Sequence, residues 1–153
     1  MIRNQMKTFD YENSVGFVVY AASKVIQKAY DVELRNKAGI TITQAKIIFA
    51  LYAQSGSTLR ELADKIGVES PTLVPVIDKM EEDGYVKRKP DSKDRRIKRI
   101  FTTPKADRLW DSMMDCASQV RKVSTTSLSE QEVQSAIRTI RKISENLSEY
   151  LGE

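Results

Sequence analysis

Apolar positions recur at three- and four-residue intervals along much of the chain. From Ser14 to about Leu34 they are Val15, Val18, Val19, Ala22, Val25, Ile26, Ala29 and Tyr30, the stripe of an amphipathic helix. Lys37-Ala38-Gly39 closes that helix. Thr43 is placed to cap a second, short helix, which turns Ile47, Ile48, Leu51 and Tyr52 to one side before Ser55-Gly56-Ser57 ends it. Thr58-Leu59-Arg60-Glu61 has the form of a capping box, in which hydroxyl and carboxylate satisfy each other's orphan backbone N–H groups. The helix it starts carries Leu59, Leu62, Ala63 and Ile66 inward and stops at Gly67. Two residues later Ser70-Pro71 predicts a capping hydroxyl followed by proline at the first helical position, with Leu73, Val76, Ile77 and Met80 as the buried stripe and Gly84 as the end. Two short helices joined this tightly predict a helix-turn-helix.

Past Gly84 the period changes. Tyr85-Val86 and Ile97 to Thr102 read as strands around a polar stretch containing Pro90-Asp91-Ser92, hence a β-hairpin. Thr103-Pro104 then predicts the start of one long helix with Ala106, Leu109, Trp110, Met113, Ala117 and Val120 along it. A second capping box, Ser129 to Glu132, precedes Val133, Ile137, Ile140, Leu147 and Leu151. The fold class this predicts is mainly α, an α+β winged helix-turn-helix of about six helices plus a two-stranded β-hairpin wing, in a single domain. There is no internal repeat and no low-complexity segment.

Composition narrows the chemistry. An apolar fraction of 41% over 153 residues suffices for a core. No apolar run reaches eighteen residues and no leader-like segment opens the chain, so a cytoplasmic protein without membrane contact is expected. With one cysteine, Cys116, and no histidine, neither a disulfide framework nor a thiolate zinc cage can form, and the commonest general base is missing. No close acidic pair or glycine-rich phosphate loop stands in for it. The expectation is a protein that is not an enzyme and has no metal or cofactor.

Charge is the exception to this blandness. Between Lys87 and Arg99 eight basic residues, Lys87, Arg88, Lys89, Lys93, Arg95, Arg96, Lys98 and Arg99, face two acidic ones, Asp91 and Asp94. That stretch holds +6 of a chain whose net charge is +4, leaving −2 elsewhere. A charge run alone is commonly solvated surface, but one that directly follows a helix-turn-helix suits the neutralisation of phosphates, and arginine also suits a narrow minor groove.

The segment from Thr58 to Asp107, with LADKIGV, SPTLV, IDKMEEDGYV and KDRRIKR followed by TTPKAD, resembles the MarR family of transcriptional regulators, most closely its SlyA branch. The resemblance implies that Arg96 enters the minor groove and is held by Asp94 through a salt bridge, that Arg95 is a further DNA contact, and that Arg88 meets the phosphate backbone. Bidentate bracing of a guanidinium by an aspartate two residues earlier is physically reasonable; the alternative is that Asp94 only shapes the turn. Ser70, Thr72 and Lys79 on the fourth helix are the expected major-groove contacts, and Lys93 and Lys98 on the wing the expected phosphate contacts. Where the SlyA-like pattern has an arginine on the recognition helix, this chain has Pro75, which removes a charge, a guanine reader and one backbone N–H. Its ring could touch a thymine methyl, or a kink could leave the groove to Thr72 and Lys79. Thr102 and Ala106 replace a common leucine and glycine.

A winged-helix lobe over 41–103 can bury a core of its own, leaving 1–40 and 104–153 with apolar stripes that need cover. Such stripes are more often intramolecular core, but here pairing with a second chain supplies the cover, and the resemblance also implies a homodimer on an inverted-repeat DNA operator. It further implies repression, relieved by a small aromatic carboxylate or phenolic effector in a cleft that Tyr11, Tyr20, Tyr30 and Trp110 could line, although aromatics on helix faces are commonly plain core. Cys116 is expected to be a buried, inert thiol rather than an oxidation sensor. The alternative function is a winged-helix module whose basic hairpin meets an acidic protein.

Overall fold

The structure is a computed structural model that describes residues 10–152. The chain divides into two compact units, the first ending at Ser118 and the second beginning at Gln119.

In the first unit, α1 (Val15–Ala38) starts at Ser14, whose side chain accepts from the Phe17 N–H, and ends at Gly39 in the left-handed conformation. Of its residues only Leu34 is buried. Val15, Val18, Tyr20, Val25, Ile26 and Val32 stay exposed, Val25 by 70%. Helix α2 (Ile42–Ala53) is the opposite case, burying Ala45, Ile47, Ile48, Ala50 and Leu51. Its cap is Thr41, not Thr43 as the sequence suggests. Thr41 accepts from the Gln44 N–H at 3.2 Å and donates its own N–H to the Gln44 carbonyl oxygen at 2.8 Å. The reason is reciprocity: three residues after Thr43 stands Lys46, which has no acceptor to return.

A two-residue strand, β1 (Ser57–Thr58), leads into α3 (Leu59–Ile66), and the Thr58–Glu61 capping box forms as expected. Gly67 ends α3 at φ +73°, a conformation that penalises any Cβ. Helix α4 (Ser70–Glu82) follows after three residues. Ser70 does not cap it. Glu69 holds the cap position, without a side-chain hydrogen bond, so Ser70 and Pro71 are the first two helical residues. Proline is tolerated there because the first-turn N–H groups lack partners in any case, and the helix gains a residue by starting earlier. Pro75 sits inside α4, which nevertheless runs on to Glu82.

Strands β2 (Val86–Pro90) and β3 (Lys98–Thr102) pair antiparallel from Val86↔Thr102 to Pro90↔Lys98, and β1 adds to the far edge of β3 through Ser57↔Ile100. The wing is therefore part of a three-stranded sheet of order β1-β3-β2, not a two-stranded hairpin. Two residues are too few for periodicity to reveal a strand.

The predicted single helix after Thr103 is divided into α5 (Pro104–Asp107) and α6 (Trp110–Ser124). At the break the Leu109 N–H bonds to Ala106 at three-residue spacing, a tightened turn. Helix α2 holds both sides of it: the Tyr52 hydroxyl donates to the Asp107 carboxylate, and Phe49 and Tyr52 meet the Trp110 ring edge-on at 5.5 and 4.8 Å. Leu34, Ile40, Ile47, Ile48, Leu51, Leu62, Leu73, Ile77, Met80, Val86, Ile100, Met113 and Cys116 form one buried cluster, so every element of this unit except the short β1 meets a shared core.

In the second unit, α7 (Glu130–Leu151) starts at the expected Ser129–Glu132 capping box and ends at left-handed Gly152. None of its residues is buried. Ile137, Ile140, Leu147, Tyr150 and Leu151 are exposed along it, Leu151 by 65%. Among the described residues no helix is long and apolar enough to cross a membrane.

Candidate nucleic-acid interface

Helices α3 and α4 with the β2–β3 wing make one surface, and charge pairing decides which cations on it are available. At the wing tip the Asp94 carboxylate accepts from Arg96 in a fork, Nε to Oδ1 at 3.0 Å and a terminal nitrogen to Oδ2 at 2.8 Å, and also takes the Arg96 backbone N–H at 3.0 Å. Asp94 is thus brace and turn-former together. The Arg96 side chain holds the Asp94 carboxyl below its ordinary value and is itself 90% exposed. Fixed at one end and open at the other, it keeps three of five guanidinium donors for a ligand.

Arg99, opposite Lys89 at the loop end of β3, is turned back onto the sheet. Its guanidinium pairs with Asp91 and donates to the Gly56 carbonyl oxygen at 2.9 Å, tying β3 to the turn before β1. Asp91 in turn accepts the backbone N–H groups of Lys93 and Asp94 at 2.8 and 3.0 Å. With Arg99 as the largest influence and those two N–H groups next, its carboxyl is lowered to about 2. Sequence reasoning counted Arg99 among the basic residues but missed this brace, whose partners lie on three segments.

Arg88 is committed to α4. Its guanidinium meets Glu81 and Asp78, each at 2.6 Å, and its backbone N–H donates to Glu81 at 2.8 Å. That N–H is the first cause of the lowered Glu81 carboxyl. Arg88 thereby ties the wing to the recognition helix. Glu81 stands seven residues earlier across the Gly84 turn, a spacing that only a folded hairpin makes short. Lys79 is paired as well, with Glu82 at 3.1 Å and Asp83 at 3.0 Å. Among the described residues Lys87, Lys93, Arg95 and Lys98 are exposed and form no ion pair. Ser70 is half-buried and Thr72 exposed at the positive end of α4, their hydroxyls not used for capping.

The predicted site residues therefore separate into groups. Lys93, Asp94, Arg95, Arg96 and Lys98 share the wing, Ser70 and Thr72 share the start of α4, and Lys79 and Arg88 lie among the carboxylates of its second half. Of the aromatic residues, Tyr11 and Tyr20 are exposed on or near α1, Tyr30 of α1 packs against the buried core, and Trp110 packs on α2. A cavity of about 370 Å³ not foreseen from sequence lies between α2 and α3, lined by Lys46, Phe49, Ala50, Lys65 and Ile66. Cys116 is fully buried, which pushes its thiol up. Among the described residues no His, Cys, Asp or Glu group is arranged to hold a metal.

The MarR family model matches residues 40–98. A solved structure described as transcriptional regulator PA3341 is 30% identical, with 89% of this chain and 99% of that one covered at a TM-score of 0.76. The chain belongs to the MarR family. It is a DNA-binding transcription regulator with a winged helix-turn-helix, not an enzyme. Two further MarR-like folds match at lower identity. A MarR regulator from Methanosarcina mazei Go1 is 24% identical at a TM-score of 0.77, covering 89% and 97% of the two chains. Bordetella bronchiseptica BpsR is 20% identical at 0.78, covering 89% and 96%.

Proposed function

We propose that this MarR protein is a sequence-specific repressor of the SlyA-like branch that binds an inverted-repeat operator in double-stranded DNA as a homodimer. The observation that carries the reading is the wing: the braced but outward-facing Arg96 stands with unpaired Lys87, Lys93, Arg95 and Lys98 beside a recognition helix whose first turn has free hydroxyls. Helix α4 takes the major groove with Ser70 and Thr72 leading, Arg95 and Arg96 the adjacent minor groove, and Lys93 and Lys98 the phosphates. Lys79 and Arg88 reach DNA only by exchanging carboxylate partners for phosphate.

The DNA-binding lobe spans 41–103, and 1–40 with 104–153 supply dimer contacts. The exposed apolar residues of α1, and separately those of α7, support this, since each stripe needs cover. A small aromatic carboxylate or phenol relieves binding. The cavity beside Phe49 offers an aromatic wall and two ammonium groups, Lys46 and Lys65, that suit such an anion, and the structural report on BpsR describes regulation of its DNA binding by 6-hydroxynicotinic acid. The effector acts only by preferring one spacing of the two lobes over the other.

Salt titration of binding to duplex DNA tests the reading. With about eight phosphates engaged per dimer, log K should fall against log salt with a slope of about −7. No duplex binding at low salt would instead favour a winged-helix module for an acidic protein.

A further inference from the structure

The solvent face of α4 is apolar where it would meet bases. Leu73, Ile77 and Met80 are fully buried and Val76 packs on the same core. Pro71, Thr72, Val74 and Pro75 face solvent, Val74 with 40% of its surface exposed. Pro71, Val74 and Pro75 stand at i, i+3 and i+4, so they form one contiguous patch. No guanidinium, amide or carboxylate occurs from Ser70 to Ile77. The next turn carries Asp78, Glu81, Glu82 and Asp83, with Asp78 and Glu81 closed by Arg88 and the other two by Lys79.

Base edges in the major groove offer three kinds of feature: acceptors, donors and the thymine C5-methyl group. The first half of α4 has no forked donor for guanine and no amide for adenine. Its acidic second half repels phosphates, so the apolar first half is the part that can approach a groove while the wing cations hold the backbone.

We propose that α4 reads thymine methyl groups in the major groove through Val74 and Pro75, flanked by Pro71 and the Thr72 methyl. This rests on α4 being the groove helix and adds which base it selects. Specificity then comes from buried methyls rather than from hydrogen-bond forks, and Pro75, which supplies no backbone N–H, is an asset at a position where contact is dispersive.

The test uses the full-length protein and a duplex selected by it from a random pool. Thymines in each half-site are replaced one at a time by deoxyuridine, which removes the methyl and leaves every hydrogen-bonding group. Affinity should fall about four-fold per contacted methyl, and roughly fifteen-fold when one is lost from each half-site. Val74→Ala and Pro75→Ala, both at exposed positions, should keep a cooperative thermal transition that Pro75→Ala does not lower, since it restores a helical N–H. Both should bind the thymine duplex as weakly as wild type binds the deoxyuridine one and no longer distinguish the two. Equal wild-type affinity for both duplexes overturns the proposal while DNA binding stands. A thymine preference that persists in the variants removes Val74 and Pro75 from readout. Failure to bind any duplex overturns both readings and leaves the patch as a protein-docking face.

Discussion

Arg96 separates the contributions of charge and geometry at the wing. Asp94 occupies two of its five N–H donors and the rest face outward. Because the side chain is 90% exposed and touches no core residue, Arg96→Ala should leave the melting temperature within about 2 °C of wild type. DNA affinity should behave otherwise. Each lost contact costs about 5-fold to 150-fold, and a dimer has two wings, so a large decrease is expected even from the lower figure. Removing one cation per wing should also flatten the salt dependence by about 1.8. Arg96→Lys keeps the charge but cannot be held in a fork, so it should restore the salt slope while recovering only part of the affinity. Fluorescence anisotropy on one labelled duplex over a range of salt measures all three proteins. Wild-type affinity in Arg96→Ala would remove the wing tip from DNA binding, and full recovery by lysine would show that the Asp94 fork contributes nothing.

Three further outcomes are expected. Lys98→Ala, at an exposed and unpaired position, should weaken binding to all duplexes alike and lower the salt slope; selective loss at one base position would contradict a phosphate role. The Asp91 carboxyl, lowered to about 2 chiefly by Arg99, should stay ionised as the pH falls past the ordinary carboxylate range of about 4. Since its folded value lies below its unfolded one, its contribution to stability is present above the unfolded value and lost as pH falls through about 2. A carboxyl carbon shift that titrates near 4 would show that the Arg99 brace is not formed in solution. Cys116, fully buried with its thiol pushed up, should react with an aromatic disulfide reagent only after denaturation; rapid native reaction would place it at an accessible surface.

Features set by local spacing were legible in the sequence. The capping boxes at Thr58–Glu61 and Ser129–Glu132 form because donor and acceptor stand three residues apart on one chain, and Gly67 punctuates as its freedom at positive φ allows. The shifted boundaries have local causes too: Thr41 rather than Thr43 has a residue three positions on, Gln44, that can reciprocate, and α4 starts one residue earlier than serine capping predicts, with Glu69 at the cap. What sequence could not show was assembled across elements. The break between α5 and α6 depends on Tyr52 and Phe49 from α2, the inward turn of Arg99 on Gly56, and the capture of Arg88 on Asp78 and Glu81. The wing was therefore readable as a basic hairpin, but which of its cations are free for DNA was not, because that depends on carboxylates brought close only by folding.

The most direct measurement of the central claim is selection of duplexes bound by the full-length protein from a random pool, followed by sequencing. A two-fold dimer with one recognition helix per subunit predicts an inverted repeat whose half-sites are centred about 10 to 10.5 base pairs apart or a multiple of that. Recovery of unrelated sequences, or of a lone half-site without a symmetric mate, would contradict it.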